Sequence, residues 1–273
     1  MAGKYRLALG IAYCGQPWHG WQKQPHQQTV QDQLEQALES FLNVPCETIC
    51  AGRTDTGVHA FEQVVHLDTA VPRPEQAFVR GLNALLPQSI RIQWALKVDR
   101  EFHARFSAQC RHYFYILRHA RVPVPFDEGR VGWVYRPLAL LPMQQAAQLL
   151  LGTRDFSAFR SAQCQAHSPV RELQRLTVTQ QGEYFIFHFQ ANAFLHHMIR
   201  NLMGTLVYIG MGRQPVHWVE QLLTSRDRRR AAPTFSPAGL YLARVDYSPH
   251  WGLPQMSLES LLHRHLALSY DKV

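Results

Sequence analysis

The chain has 273 residues, 28 Lys and Arg against 20 Asp and Glu, a formal charge of +8, and 46% hydrophobic residues. That balance excludes a chain too polar to fold, and the length suffices for one or two domains with sizeable cores. No stretch is apolar for the roughly 20 residues of a membrane span, and Met1-Ala2-Gly3-Lys4-Tyr5-Arg6 carries no secretory h-region, so the sequence reads as cytoplasmic.

In chain order, residues 5–13 predict a strand. Val30, Leu34, Ala37, Leu38, Phe41 and Leu42 recur at helical spacing, with Asp32, Glu35 and Glu39 expected on the outward side. Strands are expected at 47–53 and 63–68, around a polar turn that carries glycine. Phe78, Leu82 and Leu85 mark a second helix. Residues 90–98 alternate apolar and polar, the period of a half-buried strand. The second half repeats the order. A strand at 111–118 leads into a long excursion at 118–136, then a helix at 143–151. A hairpin of 173–179 and 184–190 follows, then a helix at 194–209 and another marked by Val216, Val219, Leu222 and Leu223. Residues 240–247 close as a strand.

Each half therefore reads β-α-β-β-α-β, the ferredoxin-like order. The expectation is an α+β fold of two ferredoxin-like lobes, residues 1–105 and 106–250. Their antiparallel sheets are expected to join around a central active-site cleft, with a tail at 251–273.

The basic surplus suggests a polyanionic partner, although the longest basic run, Arg226 to Arg230, equally suits a solvated helix end. Five scattered cysteines (Cys14, Cys46, Cys50, Cys110 and Cys164) form no CxxC and lack companions at structural-zinc spacing. They read as reduced thiols.

Chemistry concentrates in Ala51-Gly-Arg-Thr-Asp-Thr-Gly-Val-His-Ala60. Arg53 and Asp55 stand at i and i+2, on one face if the chain is extended. A guanidinium beside it would keep Asp55 ionised, ready to act as nucleophile or base. The same residues also read as a surface turn holding a salt bridge. Asp55-Thr56-Gly57 spells the aspartic-protease tripeptide, but that chemistry needs two carboxylates sharing a proton, and Asp68-Thr69-Ala70 lacks the glycine. GxxxxGK[ST], GxGxxG after a strand, HExxH and GxSxG are absent. His196 and His197 are adjacent and would diverge on a helix, a poor metal pair. His59, His103, His112 and His167 read singly as structural or solvated. Arg and aromatic residues interleave at 18–24, 102–108 and 155–160, a pattern that suits phosphate contacts with base stacking and equally suits loop anchoring.

Gly52-Arg-Thr-Asp-Thr-Gly-Val-His59 resembles the catalytic motif of the tRNA pseudouridine synthase A family. The likeness continues, in the family's order, through Gly20-Trp-Gln-Lys-Gln24, Gly81-Leu-Asn-Ala-Leu-Leu-Pro87, Phe102-His-Ala-Arg-Phe-Ser-Ala108, Asp155-Phe-Ser-Ala-Phe159, Phe194-Leu-His-His-Met-Ile-Arg-Asn201 and Gly239-Leu-Tyr-Leu242. Two departures stand out: Thr56 where members often carry Ala, and Cys14 where Asp or Asn is common.

The resemblance implies isomerisation of uridine to pseudouridine at positions 38, 39 and 40 of the tRNA anticodon arm. It implies a homodimer bridged by tRNA, with no cofactor and no metal. It assigns Asp55 as the catalytic carboxylate and Tyr113 as the tyrosine that stacks on the base and serves as a base catalyst. Arg53 would pair with Asp55 and help hold the place of the flipped nucleotide. Arg200 is the basic residue beside the carboxylate, and Leu240 packs on the uracil. His59, His103 and Arg105 fall on the substrate-binding side. The competing reading, a non-catalytic RNA-binding or tRNA-folding protein, leaves a carboxylate among basic residues without a use.

Overall fold

The computed structural model describes residues 3–266. The elements in chain order are β1 (Tyr5–Tyr13), α1 (Val30–Leu42), β2 (Ile49–Cys50), β3 (His59–Thr69), α2 (Glu75–Leu85), β4 (Ile90–Val98), β5 (Ala108–His119), β6 (Gly132–Val134), α3 (Leu140–Leu149), β7 (Gly152–Asp155), β8 (Val170–Gln181), β9 (Tyr184–Ala191), α4 (Met198–Gly210), α5 (Trp218–Ser225), β10 (Leu240–Tyr247) and α6 (Leu258–Leu266). The fold is mixed α+β, with mostly antiparallel strand pairing. The chain divides into two compact units: residues 3–109 with 241–266, and residues 110–240. Of the expected tail, residues 267–273 lie outside the described residues; the described part, residues 251–266, includes α6, with Leu261 and Leu262 buried.

In the first unit β1 lies antiparallel between β4 and β3. The far edge of β3 carries β10, parallel at Tyr241–His59 and Leu242–Ala60, and β2 at Ile49–His66 and Cys50–Val65. Leu34 and Leu38 of α1 and Phe78 and Leu82 of α2 are buried, the helical stripe visible in the sequence, whereas β1 is buried on both faces over Leu7–Ile11 and β3 over His59–Leu67. Thr29 caps α1 by accepting from the Asp32 amide, and Asn43 ends the helix in the left-handed region.

Two acidic side chains expected to face outward on α1 do not. Asp32 is buried and accepts a hydrogen bond from the Thr29 hydroxyl at 2.5 Å. Glu35 is buried and accepts from Lys23 Nζ, Gln31 Nε2, and both the amide and hydroxyl of Thr48 at 2.8–3.1 Å. With four donors it is a satisfied buried carboxylate. These bonds also explain why the expected strand at 47–53 shrinks to two residues. Glu35 takes the Thr48 amide, and Gln63 Nε2 donates to the Gly52 carbonyl at 2.6 Å. Side chains have taken the backbone groups a longer ladder would use.

The second unit runs β6-β5-β9-β8-β7, with β6 parallel to β5 and the other pairs antiparallel. α3 packs on β8 and α4, burying Met143, Ala146, Leu202, Met203 and Leu206. The excursion at 118–136 contains β6 and one turn of 3-10 helix at Pro125–Asp127. Its root is held by Arg118, which bonds Asp127 at 2.9 Å and Glu183 at 2.6 Å.

Candidate active site

Residues 51–58 leave β2 as an irregular loop and enter β3. Asp55 is half-buried in it, and its carbonyl accepts from the Val58 amide at 3.1 Å. A second loop, residues 14–21, braces this one along its length. The Trp21 amide donates to the Thr54 carbonyl at 3.0 Å, and the Gly57 amide donates to the Trp18 carbonyl at 3.4 Å. The Tyr13 and Thr54 hydroxyls meet at 2.8 Å. Two glycines permit this approach. A Cβ on Gly15 would lie 2.0 Å from the Val58 carbonyl oxygen. Gly20, at φ +84°, would place one 2.7 Å from the Thr54 carbonyl oxygen. The aromatic, Gly-bearing segment around Trp18–Trp21 is thus the scaffold that fixes Asp55. His59 is buried where the loop joins β3. Its Nδ1 accepts from the Gly15 amide at 3.1 Å, and its ring stacks on Tyr241 at 4.6 Å.

The expected Arg53–Asp55 ion pair does not form. Arg53 is exposed and joins no ion pair among the described residues; residues 51–58 form an irregular loop rather than the extended chain that would set Arg53 and Asp55 on one face. The nearby Cys50 thiol is pushed up to about 12 by burial, against the pull of Arg53. A thiol held protonated in this way is a poor nucleophile. The other Asp-Thr pair is also accounted for: Asp68 is held by the Arg6 guanidinium at 2.7–2.8 Å, and that bond keeps its carboxyl below the usual range.

Also in the first unit, residues 102–108 form a compact turn. The His103 Nδ1 accepts from the Arg105 and Phe106 amides at 3.2 Å, and the His103 ring stacks on Phe106 at 4.3 Å. Arg105 and Phe106 project outward, the latter 76% exposed, with the guanidinium 5.6 Å from the ring. Beneath them His66 accepts from the Ala104 amide at 3.1 Å; burial and the charge of Arg6 lower its pKa to about 4, so it is neutral. A cavity of about 480 Å³ elsewhere in this unit touches Arg6, Lys23, Glu35 and Asp68. Those four charges form two ion pairs, Arg6 with Asp68 and Lys23 with Glu35.

In the second unit Tyr113, on β5 opposite Phe189, is buried, its ring edge-on to Phe194 at 5.1 Å. Arg200 lies in the first turn of α4 and is locked to Phe235: its Nε donates to the Phe235 carbonyl at 2.9 Å, and the Phe235 amide returns a bond to the Arg200 carbonyl at 3.1 Å. The next residue, Asn201, is fully buried. Its Nδ2 donates to the Phe159 carbonyl at 2.8 Å, and its Oδ1 accepts from Arg228 Nη2 at 2.9 Å and from the Thr234 hydroxyl at 2.7 Å. Leu240 is buried just after Gly239, whose carbonyl accepts from the Ile116 amide at 2.8 Å.

A family model described as tRNA pseudouridine synthase matches residues 11–107 and 146–248. The chain belongs to the tRNA pseudouridine synthase family. Members of this family isomerise uridine to pseudouridine in tRNA. Relatives named tRNA pseudouridine synthase A include that of Bordetella petrii, 56% identical over 91% of this chain and 93% of the relative. Those of Bordetella avium and Paraburkholderia phytofirmans are each 55% identical, covering 92% and 91% of this chain and 95% and 92% of the relatives.

Among the residues matched to that family's motifs, Arg53 and Arg105 are exposed, Asp55 is half-buried, and His59, Tyr113 and Leu240 are buried. His196 and His197 are not on a helix as expected. His197 has φ +62°, so α4 starts only at Met198, and the two rings sit 4.0 Å apart. Sequence reasoning overlooked Asn201 and Arg228 as a unit. The last residue of the 194–201 motif was the available signal: a fully buried amide must satisfy its donors and acceptor.

Proposed function

We propose that this chain isomerises uridine to pseudouridine at positions 38, 39 and 40 of the tRNA anticodon arm. It would act as a cytoplasmic homodimer bridged by tRNA and without a cofactor. One observation carries the catalytic part: a half-buried carboxylate, Asp55, on a loop immobilised by Gly15, Trp18, Gly20 and Trp21. A positioned group of this kind is what a rearrangement needs and what RNA binding alone does not. In the reaction the N1–C1′ bond breaks, the uracil turns, C5 bonds to C1′, C5 loses its proton and N1 gains one. A charged Asp55 can start it by attacking C1′, adding to C6 or taking the C2′ proton. Tyr113 stacks on the base and accepts the C5 proton. Arg200, its backbone and side chain tied to Phe235, supports the carboxylate, and Leu240 packs on the uracil. Arg53, exposed and outside any described ion pair, occupies the place of the flipped nucleotide, whose extrusion costs a few kcal/mol. Arg105 and His103 contact the substrate, and His59 serves it from behind the loop.

The reading includes two ferredoxin-like lobes with joined sheets and a central cleft. In its support, the first unit orders its strands β4-β1-β3-β2, with both helices between strands as that topology requires. The test is release of tritium from uridine C5 in tRNA. Wild-type protein releases it, and Asp55→Asn binds tRNA but releases none. Equal release by Asp55→Asn would overturn the assignment, and release from uridines outside the anticodon arm would overturn the site specificity.

A further inference from the structure

The second unit carries an arginine–aromatic surface that none of the motifs above includes. Trp133 and Tyr135 are 39% and 55% exposed and lie 6.3 Å apart. Arg136 folds over Tyr135, its guanidinium 5.6 Å from the ring centroid and its Nε donating to the hydroxyl at 3.0 Å. Beyond the end of α4, the Arg213 guanidinium lies 5.2 Å over the Tyr208 ring, and Tyr208 stacks at 6.3 Å on Trp218 at the start of α5. The two clusters are neighbours: the Ala139 amide donates to the Gly210 carbonyl at 2.8 Å, and the Arg213 charge acts on the Tyr135 hydroxyl. That hydroxyl is lowered by the Arg136 hydrogen bond first and then by the charges of Arg136 and Arg213.

Both arginines are exposed, and neither makes an ion pair among the described residues. The sequence around them is free of counter-charge, since residues 129–154 and 184–219 contain no Asp or Glu. A guanidinium laid on an aromatic face with its outer N–H groups unpaired is pre-organised for an anion. Aromatic faces beside it suit ribose or unpaired bases.

We propose that Trp133, Tyr135, Arg136, Tyr208, Arg213 and Trp218 form a contact surface for the sugar-phosphate backbone of tRNA, separate from the residues that act on the target uridine. This rests on the proposed tRNA substrate and adds where part of its backbone is gripped. The same patch meeting itself across a two-fold axis would bring the Arg136 and Arg213 charges of both copies together. Charge therefore favours RNA over self-association.

The test uses the full chain with intact tRNA. Arg136→Ala/Arg213→Ala should raise KM about tenfold at physiological salt while kcat falls less than twofold. The slope of log binding constant against log salt should become shallower by about 1.4–1.8, the value for two lost phosphate contacts. Trp133→Ala/Tyr135→Ala should raise KM with the salt slope unchanged, since stacking is not ionic. Unchanged KM and slope in the arginine variant, beside a wild type that releases tritium from tRNA, would overturn this inference alone. So would a shift to monomer in sedimentation with the salt slope intact, which would give the patch to a second copy. A wild type that grips tRNA through this slope but releases no tritium would instead overturn the proposed activity.

Discussion

Replacing Gly15 by alanine tests whether the loop at 14–21 sets the position of Asp55. The added Cβ would fall 2.0 Å from the Val58 carbonyl oxygen and 2.5 Å from its carbon, where ordinary contact begins near 3.4 Å. The obstacle is backbone, so the two loops must part by about 1.4 Å. The Val58 amide is bonded to the Asp55 carbonyl, and the Gly15 amide to His59, so the carboxylate moves with them. A misplacement of about 1 Å costs on the order of 100-fold in rate. Gly15→Ala should therefore lower kcat/KM in the tritium-release assay about 100-fold, with the tRNA dissociation constant within about threefold of wild type. Gly152→Ala is the control. Its φ is +89° with nothing within 4 Å of the new methyl, so it should lower Tm by a few degrees, the cost of about 1 kcal/mol of backbone strain, and leave turnover intact. A folded Gly15→Ala protein with kcat/KM within threefold of wild type would refute the argument that these contacts position the carboxylate.

Three further outcomes are expected. Tyr113→Phe should bind tRNA normally and lose at least about 100-fold in turnover; near-normal turnover would remove its hydroxyl from the reaction. Asn201→Ala leaves the Phe159 carbonyl, the Thr234 hydroxyl and the half-exposed Arg228 short of a partner. It should cost about 3 kcal/mol, a Tm drop of roughly 6–12 °C, and a drop below 2 °C would show that the amide is not the hub of this segment. Burial pushes the Glu62 carboxyl up to about 7, whereas the unfolded chain holds it near 4.3. Folding thus favours the protonated form. The stabilisation this proton gives is full below about pH 4 and is lost as pH rises through 7. Glu62→Gln should gain Tm relative to wild type as pH rises from about 5 to 8, and a difference that stays flat would refute the assignment.

Regular elements were legible from periodicity wherever packing alone decides them. The bounds of β1, α1, β4 and β10 follow the apolar pattern residue by residue. Errors gathered where a side chain competes for backbone groups. Glu35 was read as an outward helix residue because spacing records period but not what lies opposite. Its four donors come from Lys23, Gln31 and Thr48, the last brought near only by the fold. The start of α4 was missed because one residue, His197, takes a left-handed conformation, and no periodic signal reports a single φ. For the candidate site, the sequence singles out the eight residues from Gly52 to His59, yet it places Arg53 against Asp55 by assuming an extended chain. The bracing by Gly15 and Gly20 could not be read, because it consists of backbone contacts between segments about 40 residues apart.

The first unit is discontinuous: it needs residues 241–266 as well as 3–109. During synthesis the Asp55 loop therefore emerges long before Tyr241, whose ring covers His59 and whose backbone pairs beside it. The 181 residues between His59 and Tyr241 take roughly 9–36 s to translate at about 5–20 residues per second. For that interval the nascent chain displays the Gly52–His59 loop with the β3 edge still open beside His59. A chain released before residue 241 would carry every residue from Gly52 to His59 and still lack the strand and ring that pack against His59.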